Sequence, residues 1–393
     1  MMNFRVPLMK HTFLHEEETK KALAKFILNS GRLSMGKECE AFENIFALFQ
    51  NRKHAVLFNS GGSANLAMIQ ALKNLEILKQ GDKAGFSAIT WSTNTMPLIQ
   101  LGLQPIPLDC EKQTLNLSST ILLEALKEHN LKLLFLTNVL GLTGDLDKIK
   151  EICDERGIIV LEDNCESLGS ELSSGKAGNF SLASSFSFFV AHHMSTIEGG
   201  MVCTDDDAFA EMLKIVRANG WDRNLTDDQK RKWRERFNIQ SAFQASYTFY
   251  DLGYNLRPTE ITGFLGQYQM RFLQENIEQR EQNFYKIQSS VIRNPDFISL
   301  EFQHMNLVSG FAFPFICKSP ELRKSYIEKF CASGIEIQPL IAGNMQRQPF
   351  YKKYDSQAYL LPGADFIHDC GFYSGNYPEL TEEDLQLIVN CIN

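Results

Sequence analysis

The sequence predicts an α/β fold: a large domain around a mostly parallel central sheet, followed by a smaller C-terminal α/β domain. Three observations lead there. Apolar runs alternate with amphipathic stretches over most of the first 270 residues, the pattern of repeated βαβ units with helices on both faces of the sheet. A long amphipathic stretch over 259–290 has the length to bridge two units. From about residue 291 the strands become shorter and the alternation changes. The division drawn from this is 1–270 for an N-terminal segment and the large domain, and 271–393 for a bridging helix and the small one.

In chain order, His54–Phe58 reads as a strand and Ala64–Leu78 as a helix with Leu66, Ile69 and Leu72 on one face. Ala84–Ile89, Leu131–Leu136 and Gly157–Glu162 read as buried strands. Helices near 118–129 and 145–156 separate them. Met201–Thr204 is a further strand, and 206–218 a further helix. The charged stretch 224–236 lacks clear periodicity and reads as an exposed insertion, a loop or a lid. In the smaller domain, strands are expected around 311–317 and 335–340, with helices near 320–333 and 381–391.

A net charge of −8 with no broad basic face argues against a nucleic-acid binder, although a local basic pocket for a nucleotide diphosphate remains compatible with it. No run approaches the length of a membrane span, and Met1–Lys10 lacks the apolar core of a leader, so the expected location is the cytoplasm. The nine cysteines are scattered, without Cys-x-Cys or Cys-x-x-Cys, as in free thiols of a reducing compartment. That spacing supports neither a metal site nor an iron–sulfur cluster.

Several short segments carry chemistry. Asn59-Ser-Gly-Gly-Ser-Ala-Asn65 follows a strand and opens a helix, where small residues let backbone N–H groups meet an anion; it also reads as a plain turn. Ser187 has a hydroxyl for the same anion, or is an ordinary strand serine. Asp163 ends a strand, where open α/β sheets place ligands, and otherwise reads as an N-cap. Glu166 lies one turn further on. Trp91 follows another strand and has a face to stack on a flat ring, or simply packs. His192 and His193 are adjacent, so at most one faces a given atom, and both also read as structural. Glu198-Gly-Gly200 fits a turn into the next strand.

Their order is more informative than any one of them. The strand–glycine-turn–helix, then Trp91, Asp163, Ser-Phe…His192…Glu-Gly-Gly, and Gly253-Tyr-Asn-Leu-Arg-Pro-Thr-Glu260 together resemble the fold-type-I pyridoxal-phosphate (PLP) enzymes. More narrowly they resemble the DegT/DnrJ/EryC1/StrS sugar aminotransferase family, from about Gly31 to the C-terminus. That family carries a lysine six residues before Glu-Gly-Gly. Here the position is His192, and no lysine occurs between Lys176 and Lys214. A histidine moves protons but forms no lasting covalent link to an aldehyde cofactor. The exchange narrows the resemblance to the 3-dehydratase branch, which Glu162-Asp-Asn-Cys-Glu-Ser-Leu-Gly169 and Ala342-Gly-Asn-Met-Gln-Arg-Gln-Pro349 also resemble. CDP-linked members of that branch carry an iron–sulfur cluster with a Cys-x-Cys element; its absence here points to the cluster-free type.

The resemblance implies noncovalently held PLP or its amine form, pyridoxamine phosphate (PMP). Gly61, Gly62 and Ser187 would hold the phosphate, Trp91 would stack on the ring, Asp163 would meet the ring nitrogen and Glu166 its hydroxyl. Asn255 would reach the phosphate in the neighbouring subunit, implying a homodimer with shared active sites. His192 would be the catalytic base. The implied reaction is C3-dehydration of a nucleotide-linked 4-keto-6-deoxyhexose in dideoxysugar biosynthesis, with GDP-4-keto-6-deoxy-D-mannose the expected substrate. L-glutamate would regenerate PMP, and ammonia would be released. A nucleotide-sugar aminotransferase and a catalytically idle PLP-binding relative are the alternatives. Two departures stand out: Gly62 replaces a hydroxyl residue, and Gln338 stands where an arginine is common.

Overall fold

The computed structural model describes residues 4–393; Met1–Asn3, part of the segment read above as lacking a leader, lie outside the described residues. The large sheet is built from β1 (His54–Phe58), β2 (Lys83–Ser87), β3 (Gln104–Leu108), β4 (Leu133–Thr137) and β5 (Ile159–Asp163). After a short hairpin, β6 (Glu171–Leu172) and β7 (Gly175–Lys176), it is completed by β8 (Ala183–Ser187) and β9 (Gly200–Thr204). The strand order is β1-β9-β8-β5-β4-β2-β3. Every neighbouring pair is parallel except those made by β9, which runs antiparallel to both β1 and β8.

Alternate residues of these strands face opposite layers. Val56, Phe58, Leu133 and Phe135 pack with the helix Gly61–Asn74 and the helix Asp207–Arg217. Ala55 and Leu57 turn the other way, onto Lys37–Gln50. Leu134 and Leu136 meet residues of Ser119–Glu128 and Leu146–Arg156. Burial on both faces explains why the central strands read as unbroken apolar runs.

The parallel register brings the strand ends together. Thr137 pairs with Asp163, Asp163 with Ser185, and both Ser187 and Phe58 with Gly200. The loop from β8 back to β9, which carries His192, therefore crosses the carboxyl edge of the sheet beside the turn after β1.

The C-terminal part adds β10 (Met305–Leu307), which joins the β6–β7 hairpin, and an antiparallel sheet of β11 (Ala312–Ile316), β12 (Ile337–Pro339) and β13 (Gly371–Gly375), in the order β11-β13-β12. The N-terminal segment belongs to this end of the molecule: Val6 bridges to Ile335, and Leu8 N–H donates to Glu336 at 2.9 Å. No helix among the described residues is long and apolar enough to cross a membrane.

Three sequence expectations change. The helix expected at Ala64–Leu78 runs over Gly61–Asn74, because Ser60 caps it by accepting from Ser63 N–H at 3.1 Å. The long helix over 259–290 is two, Glu260–Met270 and Leu273–Val291, broken where Phe272 turns to pack on His15 at 4.3 Å. The charged stretch 224–236 contains a helix, Asp227–Arg236. A capping box between Thr226 and Gln229 starts it, and one buried ring, Trp233, docks it.

Glu43 and Arg217 form a buried ion pair at 2.6 Å beneath the end of β1. Glu43 accepts from Leu57 N–H at 2.8 Å, and Arg217 donates to Leu57 O at 2.7 Å. Removing one partner leaves a buried, uncompensated charge. Glu43→Leu should therefore lower unfolding free energy by about 3–5 kcal/mol, with the double variant Glu43→Leu/Arg217→Met more stable than the single one. Denaturant unfolding of the three proteins tests this, and equal stability of the single and double variants would refute it.

Candidate active site

The carboxyl edge of the sheet opens into a cavity of about 420 Å3. Seven of the eight residues singled out from the sequence line it: Gly61, Gly62, Trp91, Asp163, Glu166, Ser187 and His192. Asn255 does not; it is exposed, in a bridge to Ala218. Sequence reasoning missed Thr93, Cys165, Phe311, Ile341 and Tyr373, which also line the cavity. Most of these carry no motif, and the last three come from the C-terminal part of the chain.

One wall is the N-terminus of the helix Gly61–Asn74, a favourable place for an anion. The glycines there are required by close packing. A Cβ on Gly61 would stand 2.7 Å from Ser187 Cβ, and one on Gly62 would stand 2.9 Å from Thr93 Cγ2. The methyl group of Thr93 thus accounts for glycine at position 62, and Thr93 itself brings a hydroxyl into the cavity.

Asp163 is buried at the end of β5. Its Oδ1 accepts from Cys165 N–H at 2.9 Å and its Oδ2 from the Asn65 amide at 2.9 Å. Asn65 is fully buried and also donates to Thr93 Oγ1 at 3.3 Å, so one amide orients both groups. The preceding Glu162 is structural: it takes Gly178 N–H and Phe180 N–H, each at 2.9 Å.

Two of the cavity's titratable groups, Glu166 and His192, are shifted in opposite directions. Burial, partly offset by the Leu140 N–H that Glu166 accepts at 3.0 Å, pushes the Glu166 carboxyl up to about 8, with Asp163 adding to the rise. Burial pulls His192 down to about 4; the Arg280 charge adds to this, while Asp163 opposes it. The imidazole is therefore neutral through the physiological range. Its Nδ1 is buried and has no hydrogen-bond partner in the chain. Phe311 meets its ring edge-on at 5.2 Å. His193 points away from the cavity, with Nε2 3.0 Å from the Ser309 carbonyl.

A cavity with an anion-binding turn, a buried carboxylate, an exposed tryptophan face and an unpartnered base suits a flat group that carries a phosphate. Among the described residues no lysine lines it, and no cluster of His, Cys, Asp and Glu could hold a metal ion.

The model of the DegT/DnrJ/EryC1/StrS aminotransferase family matches residues 14–393. The chain belongs to this family. A relative in Yersinia pseudotuberculosis, GDP-4-keto-6-deoxy-D-mannose 3-dehydratase, is 33% identical over 401 residues, covering 100% of this chain and 98% of the relative. A solved structure of the E. coli enzyme of that name, with bound hydrated PLP, superposes with a TM-score of 0.89 at 31% identity, covering 99% of this chain and 100% of that one. Another, with a trapped PLP-glutamate geminal diamine, also has a TM-score of 0.89 at 31% identity, with the same coverage. The family fold accounts for the mostly parallel sheet and for the cavity at its carboxyl edge.

Adding a methyl group at position 61 fills the space between the turn and Ser187. Gly61→Ala should weaken PLP binding by about tenfold or more, a loss of ~1.4 kcal/mol, while the fold persists. Absorbance titration of the cofactor-free protein with PLP measures this, and a dissociation constant within twofold of wild type would contradict it.

Proposed function

We propose that the protein is a PLP-dependent hydro-lyase that removes the C3 hydroxyl of a nucleotide-linked 4-keto-6-deoxyhexose. GDP-4-keto-6-deoxy-D-mannose is the substrate and L-glutamate the amino donor. The observation that carries this reading is His192, a neutral base lining the cavity at the place of the family's lysine.

The residues of the cavity fit the cofactor. Gly61, Gly62 and Ser187 would hold the phosphate, Trp91 would stack on the ring, and Asp163 and Glu166 would meet its nitrogen and its hydroxyl; all of them line the cavity. When bound in its amine form, the cofactor supplies an electron sink that assists departure of the C3 hydroxyl. His192 accepts a proton at its free ring nitrogen, because burial keeps the imidazole unprotonated. Glu166 carries its proton at neutral pH and donates it as a hydrogen bond. With no lysine lining the cavity, its residues would hold the cofactor without a covalent bond to the chain.

The protein acts in the cytoplasm as a homodimer with shared sites. Asn255 lies outside its own cavity and is exposed, which supports a role in a neighbouring subunit's site. The nearby Phe243, Tyr247, Phe249 and Leu252 are 57–88% exposed, an apolar surface suited to a second copy. The large domain would end near residue 270, and Val6 and Leu8 join the C-terminal unit through Ile335 and Glu336.

Incubation with PLP, glutamate and GDP-4-keto-6-deoxy-D-mannose should release ammonia and yield a sugar lighter by one oxygen atom. A product carrying a new amino group would make the protein an aminotransferase instead. His192→Asn should abolish dehydration while retaining PLP, and full activity in that variant would remove His192 as the base. The rate should fall as pH drops towards 4, where the imidazole gains a proton, and again as pH rises past about 8, where Glu166 loses one. Glu166→Gln should erase only the alkaline limb; a profile unchanged by that substitution counts against the assignment. Mixing inactive His192→Asn chains with Asn255→Ala chains should recover activity that neither has alone. No recovery in a demonstrated mixed dimer would exclude shared sites.

A further inference from the structure

The loop between β8 and β9 lacks the covalent tether that a lysine-bound cofactor would give it, yet it must hold one imidazole still. Its backbone is strained on either side of that residue, with Ala191 at φ 75° and Ile197 at φ 73°. Non-glycine residues keep such conformations only where the surroundings enforce them. Between those two residues the loop is held by groups from the helix Leu273–Val291. Arg280, 3% exposed, donates from Nη2 to His192 O at 3.4 Å and from Nη1 to Phe311 O at 3.0 Å. Its Nη1 also meets Asn376 O, and its Nε donates to Asn276 Oδ1 at 2.7 Å. Asn276, held by that bond, donates to His193 O.

The guanidinium makes no ion pair among the described residues; its partners are carbonyl oxygens and one amide. A buried charge without a counter-ion is costly, so a role besides stability accounts better for it. Its two arms span the chain carrying the imidazole and the chain carrying Phe311, the ring that abuts it. We propose that Arg280 is the positioning residue for His192, clamping the loop and Phe311 into one frame and replacing by hydrogen bonds the tether a lysine would supply. This rests on the reading of His192 as the proton-transfer group. The planar fork matters because lysine, a point donor, cannot span two carbonyls. The arginine charge also opposes protonation of the imidazole while Asp163 favours it, with neutral His193 beside it and Cys165, Glu166, Glu198 and Tyr373 around the same cavity.

The test compares wild-type, Arg280→Lys and Arg280→Met holoenzymes by steady-state kinetics, pH profile and amide hydrogen exchange. A small misplacement of a reacting group costs up to ~100-fold in rate. Arg280→Lys should therefore lower kcat by about tenfold to a hundredfold, with KM for the sugar changed less than threefold, and should speed exchange in 188–199 while the strands of the large sheet stay protected. Arg280→Met should do the same and also move the acid limb to higher pH, because the repelling charge is gone; the lysine variant should leave that limb in place. If the methionine variant does not fold, the lysine variant alone decides. Unchanged kcat and loop exchange in the lysine variant, or exchange that rises evenly over the whole chain, would overturn the clamp. Wild-type enzyme that dehydrates no sugar would sink the dehydratase reading alone, since the exchange comparison needs no substrate and still decides whether Arg280 holds the loop.

Discussion

Everything at the cavity depends on how closely three stretches of backbone approach one another. Gly61 lies against Ser187, and Gly200 lies against the Ser60 carbonyl, where a Cβ would stand 2.2 Å from the oxygen. These contacts weld the turn after β1 to the end of β8 and the start of β9. The anion-binding turn and the loop with His192 are thereby parts of one seam. The antiparallel insertion of β9 between β1 and β8 makes this possible, since β9 starts at the carboxyl edge, directly beside the turn. The ion pair of Glu43 with Arg217 holds the other end of that seam at Leu57.

Much of this was legible in the sequence, for identifiable reasons. The strands β1, β2, β4 and β5 are buried on both faces and announce themselves as apolar runs. β3 was hidden because Pro105 and Pro107 argue against a strand; it is tolerated as the last strand of the sheet, where an edge carries no further pairing. The helix Glu16–Asn29 buries only Thr19 and leaves little apolar pattern to read. The motif residues that line the cavity stand out in the sequence because each ends or follows a strand. Phe311, Ile341 and Tyr373 were not, because only the packing of the C-terminal sheet against the large domain brings them to the cavity. Arg280 carries no signal at all beyond being one charge on a polar helix.

The cavity separates two titrations by environment. Glu166 and His192 are both sheltered from water, which disfavours charge on either. For an acid this means holding its proton, and for a base it means lacking one. One property, partial burial in the cavity wall, thus prepares a donor and an acceptor at neutral pH. Asp163, in the same cavity, has both oxygens engaged by N–H donors, as an oriented carboxylate needs.

The N-terminal strap has a consequence for biosynthesis. Leu8 and Glu336 are 328 residues apart in sequence yet bonded in the fold. At translation speeds of roughly 5–20 residues per second, Leu8 leaves the ribosome about 15–65 s before its partner exists. Through that interval the large sheet can assemble from segments already made, while the strap stays unpaired. The C-terminal unit is closed by an early and a late segment of the chain together, so a nascent chain stalled before residue 334 would carry a finished sheet with an open end.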